Sequence, residues 1–191
     1  MRTITYGGAV SLDGYLAAAD GSLDWLHFSP DVEQITSDYF KGVDAILMGR
    51  KTWDVAAAQH RPTAARARGA KSRRITTRTY VFSRTLASID APDVELVSAE
   101  AVPFVRELKH RQGGKICLMG GGQLATSLLA ADLIDEVGLN VHPVLLGTGI
   151  PVFRDPGGRV RLKLTECRRL DGGCVLMTYV VASRRSNARN R

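Results

Sequence analysis

ICLMGGGQLATSLL, residues 116–129, carries a strand-like apolar run into three consecutive glycines and then directly into a helical pattern. Glycine costs backbone entropy wherever it is fixed, so three together imply a close approach that no side chain would survive. A strand running into glycine and a helix start is the repeating unit of an α/β sheet. It is also a ready anion site, because the first helical N–H groups are unpaired and the helix dipole is positive there. GGGQLA (120–125) satisfies G-x-G-x-x-A. A dinucleotide fingerprint, however, expects this unit early in the chain and an acid roughly 20 residues on. Here it comes late, and Asn140 stands at that distance. A tight turn without a ligand remains open on this pattern alone.

Outward from that unit, strands and helices alternate. RTITYGGAV (2–10) reads as a first strand and runs on into SLDGYLA; DVEQITSDYFK (31–41) reads as a helix, capped by Ser29 or Asp31. DAILMG (44–49) is a short buried strand closed by glycine, and 53–60 is a candidate helix. TYVFS (79–83) and VELVS (94–98) read as strands, 99–111 as a helix, KICLM (115–119) as a strand and 123–131 as a helix. EVGLNVHPVLLG (136–147) reads as a strand followed by a Gly/Pro-rich turn, GTGIPVF. Residues 160–170 and 174–182 form an antiparallel pair joined by DGG, a hairpin signal. The order predicts a three-layer α/β fold: a mixed, mostly parallel sheet, helices on both faces, and a C-terminal antiparallel hairpin.

At 191 residues and 45% hydrophobic, the chain can bury a core as one domain, expected over 1–182, with a basic tail at 183–191. The net charge of +7 is unevenly placed: residues 60–78 and the tail hold 11 of the 26 basic residues and no acid. The body is therefore mildly acidic, which argues against nucleic acid as the partner. No apolar run is long enough to span a membrane, and MRTITYGGAVSLDG has no signal-peptide core, so a cytoplasmic location is expected. Cys117, Cys167 and Cys174 form no CxxC pair, so no metal site is expected and free thiols in a reducing compartment fit better.

Two further strand ends carry phosphate chemistry. MGRKTW (48–53) places Arg50, Lys51 and Thr52 just after Gly49, and FSRT (82–85) delivers Ser83 and Arg84. Cations, a hydroxyl and free backbone N–H groups can clamp phosphates from several sides. In an open α/β sheet, ligands collect at the carboxyl ends of strands.

The ordered set SLDGYLA, DW, AILMGRKTW, YVFSRT, GKICLMGGGQL and LIDEVGLNVHPVLLGTGIPVF resembles the dihydrofolate reductase-like family. The branch shared with the reductase domain of bacterial riboflavin biosynthesis fits best, over roughly residues 2–182. The resemblance implies an NADPH-dependent reductase. Gly49, Arg50, Lys51 and Thr52 would hold the cofactor's phosphates, and Ser83 and Arg84 would face the adenosine 2′-phosphate. Gly120, Gly121, Gly122, Gln123 and Leu124 would wrap the pyrophosphate. Cations at 50, 51 and 84 favour NADPH over NADH.

The resemblance also places the nicotinamide and substrate beside Ala9, Asp13 and Gly14, with Trp25 as a wall. Asp13 reads equally as a turn former before glycine, and Trp25 equally as packing. Asp31 matches the acid on the first helix of dihydrofolate reductases but serves equally as a helix cap. The expected substrate is a small pterin- or aminopyrimidine-like heterocycle, as in 5-amino-6-(5-phosphoribosylamino)uracil reductase activity. The alternative is a nucleotide-binding module of the same fold without turnover. A homodimer paired through the apolar strand 174–182 is expected. No H-x-E with P-C-x-x-C is present, so the chain carries no zinc deaminase signature.

Overall fold

The computed structural model describes residues 1–59, 77–120, 122–155 and 158–182. The basic segment read as a loop over 61–78 lies almost wholly outside these residues, as do Gly121 and the tail.

The chain orders as β1 (Ile4–Ser11), β2 (Tyr15–Ala18), α1 (Pro30–Phe40), β3 (Val43–Gly49), α2 (Arg50–Gln59), β4 (Arg78–Phe82) and β5 (Val94–Val97). It continues with α3 (Ala101–His110), β6 (Lys115–Met119), α4 (Gly122–Ala130), β7 (Glu136–His142), β8 (Gly149–Pro151), β9 (Leu162–Arg169) and β10 (Val175–Val181). Eight strands form one sheet in the order β5-β4-β3-β6-β1-β7-β10-β9. All pairs through β7 are parallel, while β10 runs antiparallel to both β7 and β9. The mixed sheet and late antiparallel edge are as the element order implied.

Strand alternation sorts the two faces. Ile4, Tyr6 and Val10 of β1, Leu47 of β3, Leu118 of β6 and Val137 of β7 bury into the main core, where Val105 and Leu108 of α3 and Leu128 of α4 meet them. On the opposite face Val32 of α1 packs with Leu170 and Cys174, and Ile35 and Leu176 lie against them. Helices thus cover both faces, as parallel strands require.

Three boundaries differ from the sequence reading. Helix α2 begins at Arg50, three residues early, because RKT closes the first turn directly after the β3 glycine. Strand β7 stops at His142, where Pro143 has no N–H to donate. The segment read as the turn GTGIPVF contains β8, which pairs antiparallel with β2 in a small second sheet. Each of these strands has four residues or fewer, too short for a periodic signal.

Candidate functional site

Strands β4, β3, β6 and β1 are consecutive and parallel, so their carboxyl ends form one row along the sheet edge. That topology brings together Ser83–Arg84, Gly49–Thr52, Gly120 with Gly122–Leu124, and the β1 end at Ala9–Gly14. The segments are as much as 115 residues apart in sequence, and only the strand order makes them neighbours.

Helix α2 opens with Arg50 and Lys51 and has no acid in its first turn. Cations there oppose the positive end of the helix dipole, the reverse of the self-stabilising pattern that α1 shows with Asp31 and Glu33. Arg50 reaches Asp54 one turn on, at 3.4 Å. Lys51 and Arg84 are exposed and make no ion pair among the described residues. Gly49 has open space around it, since a Cβ there would meet nothing within 4 Å. The turn is therefore positively charged, uncovered and accessible at the backbone, which suits a phosphate group.

The glycine turn is packed differently. Gly120 has φ +59, and a Cβ on it would lie 2.5 Å from Thr52 Oγ1. A Cβ on Gly122 would lie 3.0 Å from the Pro151 carbonyl oxygen. At these two positions the side chain is excluded by the protein itself: the β6–α4 turn is wedged between the start of α2 and the β8 strand. The wedge presses the two phosphate-type segments together. Gln123 of α4 is exposed and Leu124 half-buried against the core. Gln123, Thr126, Pro151, Phe153 and Arg154 line a shallow depression beside them.

Ser83 is buried, and its Oγ accepts from the backbone N–H of Thr85 (3.2 Å) and Leu86 (3.1 Å). It shapes the turn that presents Arg84. Asp13 plays a similar part at the β1 end. Ser11 Oγ donates to its Oδ1 at 2.6 Å, and the N–H groups of Leu146 and Gly147 donate to its Oδ2 at 3.0 and 2.7 Å. These donors hold its carboxyl below the usual range, Ser11 most strongly, and fasten the β1–β2 turn to the loop after β7. Gly14, at φ +88, completes that turn.

Asp31 is also fully engaged. Its Oδ1 accepts from Ser29 Oγ and from the Val32 N–H, and its Oδ2 accepts from the Asp171 N–H at 2.8 Å. The Ser29 hydroxyl, then the Asp171 amide, keep this carboxyl below its ordinary value. It is ionised at neutral pH, and it ties the start of α1 to the β9–β10 turn.

A polar cluster that sequence reading left without a role lies at the end of β7. His142 is 2% exposed, and its Nδ1 accepts from the His27 backbone N–H at 3.2 Å. The Cys174 thiol lies 3.5 Å from the same nitrogen, and burial pushes that thiol up, so it is protonated and donates. Asn140 meets Nε2 at 3.2 Å, and Trp25 stands edge-on to the imidazole with ring centroids 5.4 Å apart. Burial, then the neighbouring His27, hold the His142 pKa below 6.5. Among the described residues, no group of His, Cys, Asp and Glu is arranged to hold a metal ion, and no helix is long and apolar enough to cross a membrane.

The strand order and covering helices define an α/β fold of the dihydrofolate reductase type. Dihydrofolate reductase from Enterococcus faecalis, solved with NADP(H), superposes with a TM-score of 0.65 over 95% of this chain and 97% of that one, at 16% identity. The chain belongs to the RibD C-terminal domain family, which it matches over residues 2–176. A solved protein from Shewanella sp. PV-4, assigned provisionally to riboflavin biosynthesis, is 26% identical with a TM-score of 0.77, covering 96% of this chain and 100% of that one. YyaP of Bacillus subtilis, an uncharacterized protein, is 34% identical over 181 residues, 93% of this chain and 94% of its own length. The riboflavin biosynthesis protein RibD of Mycobacterium tuberculosis is 30% identical over 161 residues, 81% of this chain but 46% of that protein.

Proposed function

We propose that the protein is an NADPH-dependent reductase of a small pterin- or aminopyrimidine-like heterocycle, acting as a cytoplasmic homodimer. The observation that carries this reading is the start of α2. Two cations stand against the helix dipole beside an uncovered glycine, in a row with Ser83–Arg84 and the β6–α4 turn. Such an arrangement is costly without an anion and favourable with one. Family membership supports the same reading, as does the similarity to the riboflavin biosynthesis protein RibD.

When bound, the nicotinamide supplies the hydride. The protein's share is binding and orientation. Lys51, Thr52 and the α2 N–H groups would hold phosphate oxygens. Arg84, presented by the Ser83 turn, would take a 2′-phosphate. Gly120, Gly121, Gly122, Gln123 and Leu124 would line the pyrophosphate path, with Ala9, Asp13, Gly14 and Trp25 towards the reacting rings. Asp31 enters as a carboxylate: held ionised by its three donors, it would favour a protonated heterocycle by charge rather than by handing over a proton. That same engagement favours the second reading, a nucleotide-binding module without turnover.

The deciding experiment titrates the protein with NADPH and NADH, following tryptophan fluorescence, and then assays NADPH oxidation over a panel of pterins and aminopyrimidines. Micromolar, NADPH-selective binding with turnover supports the reductase, and selective binding with no turnover supports the module. Absence of binding to either cofactor overturns both.

A further inference from the structure

Leu12, Phe28 and Leu145 are 65%, 70% and 70% exposed, the most exposed large apolar side chains among the described residues after Met1. All three belong to one corner of the molecule, around the end of β7. The Leu12 N–H donates to the carbonyl of Val144, the residue before Leu145. Phe28 follows His27, whose N–H donates to His142. A single exposed apolar side chain is ordinary, whereas three at one corner mark a contact surface.

The same corner is anionic. Residues 3–40 contain Asp13, Asp20, Asp24, Asp31, Glu33 and Asp38 and no Lys or Arg, and residues 136–153 have no Lys or Arg either. Asp13 is bonded to the N–H groups of Leu146 and Gly147, next to Leu145. Asp31 is bonded to the Asp171 N–H, and Asp24 adjoins Trp25, whose ring meets His142 edge-on. The Ser11 and Ser29 hydroxyls first, then backbone N–H groups, keep the Asp13 and Asp31 carboxyls below the usual range, so both are charged at neutral pH. Little stands against these charges. Arg168, on the edge strand, is paired with Glu166 at 3.7 Å. Arg169 lies opposite Val175 and so in the row of Val141, which turns to the main core on the other face. Arg50, Lys51 and Arg84 follow β3 and β4, two and three strands away from β1.

We propose that the part of the substrate reaching this corner is apolar and carries no anionic group. It would contact Leu12, Phe28 and Leu145 inside a rim of carboxylates. A phosphate or carboxylate there would meet like charge, with no cation of these segments to offset it. The inference rests on the heterocycle reading above and narrows it: a phosphoribosyl substituent has the wrong charge for this corner.

The test uses protein saturated with NADPH and two probe pairs, each alike in its ring and differing by one carboxylate. The pairs are 6-phenylpterin with 6-(4-carboxyphenyl)pterin, and 5-amino-6-benzylaminouracil with 5-amino-6-(4-carboxybenzylamino)uracil. In at least one pair the uncharged member is expected to bind about tenfold tighter or better, with the gap narrowing at high salt. Asp24→Lys combined with Asp171→Lys, both at exposed positions, is expected to narrow the gap by strengthening the carboxylate member. Phe28→Ser is expected to weaken the uncharged member about tenfold, with NADPH affinity retained. A carboxylate member that binds as well as its counterpart in both pairs overturns the proposal. So does a gap unchanged by the two lysines, and so does unchanged binding in Phe28→Ser. Binding of none of the four while NADPH binds also overturns it. Failure of NADPH itself is a separate result that removes the reductase reading.

Discussion

Gly120 lies against Thr52 so closely that one added carbon would stand 2.5 Å from the threonine hydroxyl oxygen. The contact joins the end of β6 to the first turn of α2, two segments 68 residues apart that both carry phosphate-type chemistry. Two penalties follow for any side chain at 120: a left-handed backbone at φ +59 and a steric overlap. Gly120→Ala should cost about 1–3 kcal/mol in denaturant unfolding. Thr52→Ala removes the two nearest atoms, so the double variant should recover part of that loss, the steric part alone. Strict additivity in the cycle would show that Thr52 is not what excludes the side chain.

How far the sequence could be read is clearest at this contact. GGGQL announces a strand–glycine–helix unit because the punctuation is local, and its place in an α/β sheet follows from the element order. Which neighbour excludes the side chain is not local. Thr52 is adjacent only because β3 and β6 pair, and Pro151 only because β8 exists. The same limit applies to Asn140 and His142. A short polar alternation at a strand end looks like any other, and its meaning depends on His27 and Cys174, which pairing and loop path bring in from both sides.

Arg84 is exposed and free of ion pairs among the described residues, so its removal should leave the fold intact. On the proposed reading, Arg84→Ala weakens NADPH about tenfold or more, the scale of one charged hydrogen bond, and leaves NADH unchanged. Calorimetry of both cofactors at two salt concentrations checks this. An equal loss for both would move Arg84 away from the 2′-phosphate.

Asp31 gives a pH signature. Its folded pKa lies below the ordinary carboxylate value, so its contribution is present above the unfolded value of about 3.9 and fades as pH falls through the folded value. Asp31→Asn should therefore be less stable than the parent at pH 7, with the gap closing in acid. A gap unchanged from pH 7 down to pH 2 would mean the Ser29 and Asp171 contacts do not depend on charge.

His142 acts with the opposite sign of charge. Its folded pKa lies below that of the unfolded chain, so the unfolded state takes up a proton first as pH falls. The native protein should lose stability below about pH 6.5, the model-peptide value, down to the folded pKa. His142→Gln should flatten that part of the profile. Thermal unfolding at half-unit steps of pH reads the difference directly, and an unaltered slope in the variant would assign it to another group.

Strand β9 is the edge of the large sheet and is exposed along its whole length. Leu162 and Leu164 of β9, 40% and 50% exposed, and Val180 of β10, 41% exposed, leave apolar side chains at this edge. An exposed edge with such a surface invites pairing with another chain; a register shift opposite Thr178 and Tyr179 bends β9 locally but leaves its apolar residues exposed. The proposed homodimer would bury these residues; the sequence reading expected the interface on strand 174–182, which lies one strand in from this edge. Light scattering should then give twice the chain mass of 20.7 kDa. Leu164→Glu, placing a charge in the middle of the patch, should halve the measured mass without lowering unfolding cooperativity. A dimer that survives Leu164→Glu would pair through another face, and a monomeric parent would leave the β9 edge to be protected by its flanking charges and the register shift opposite Thr178.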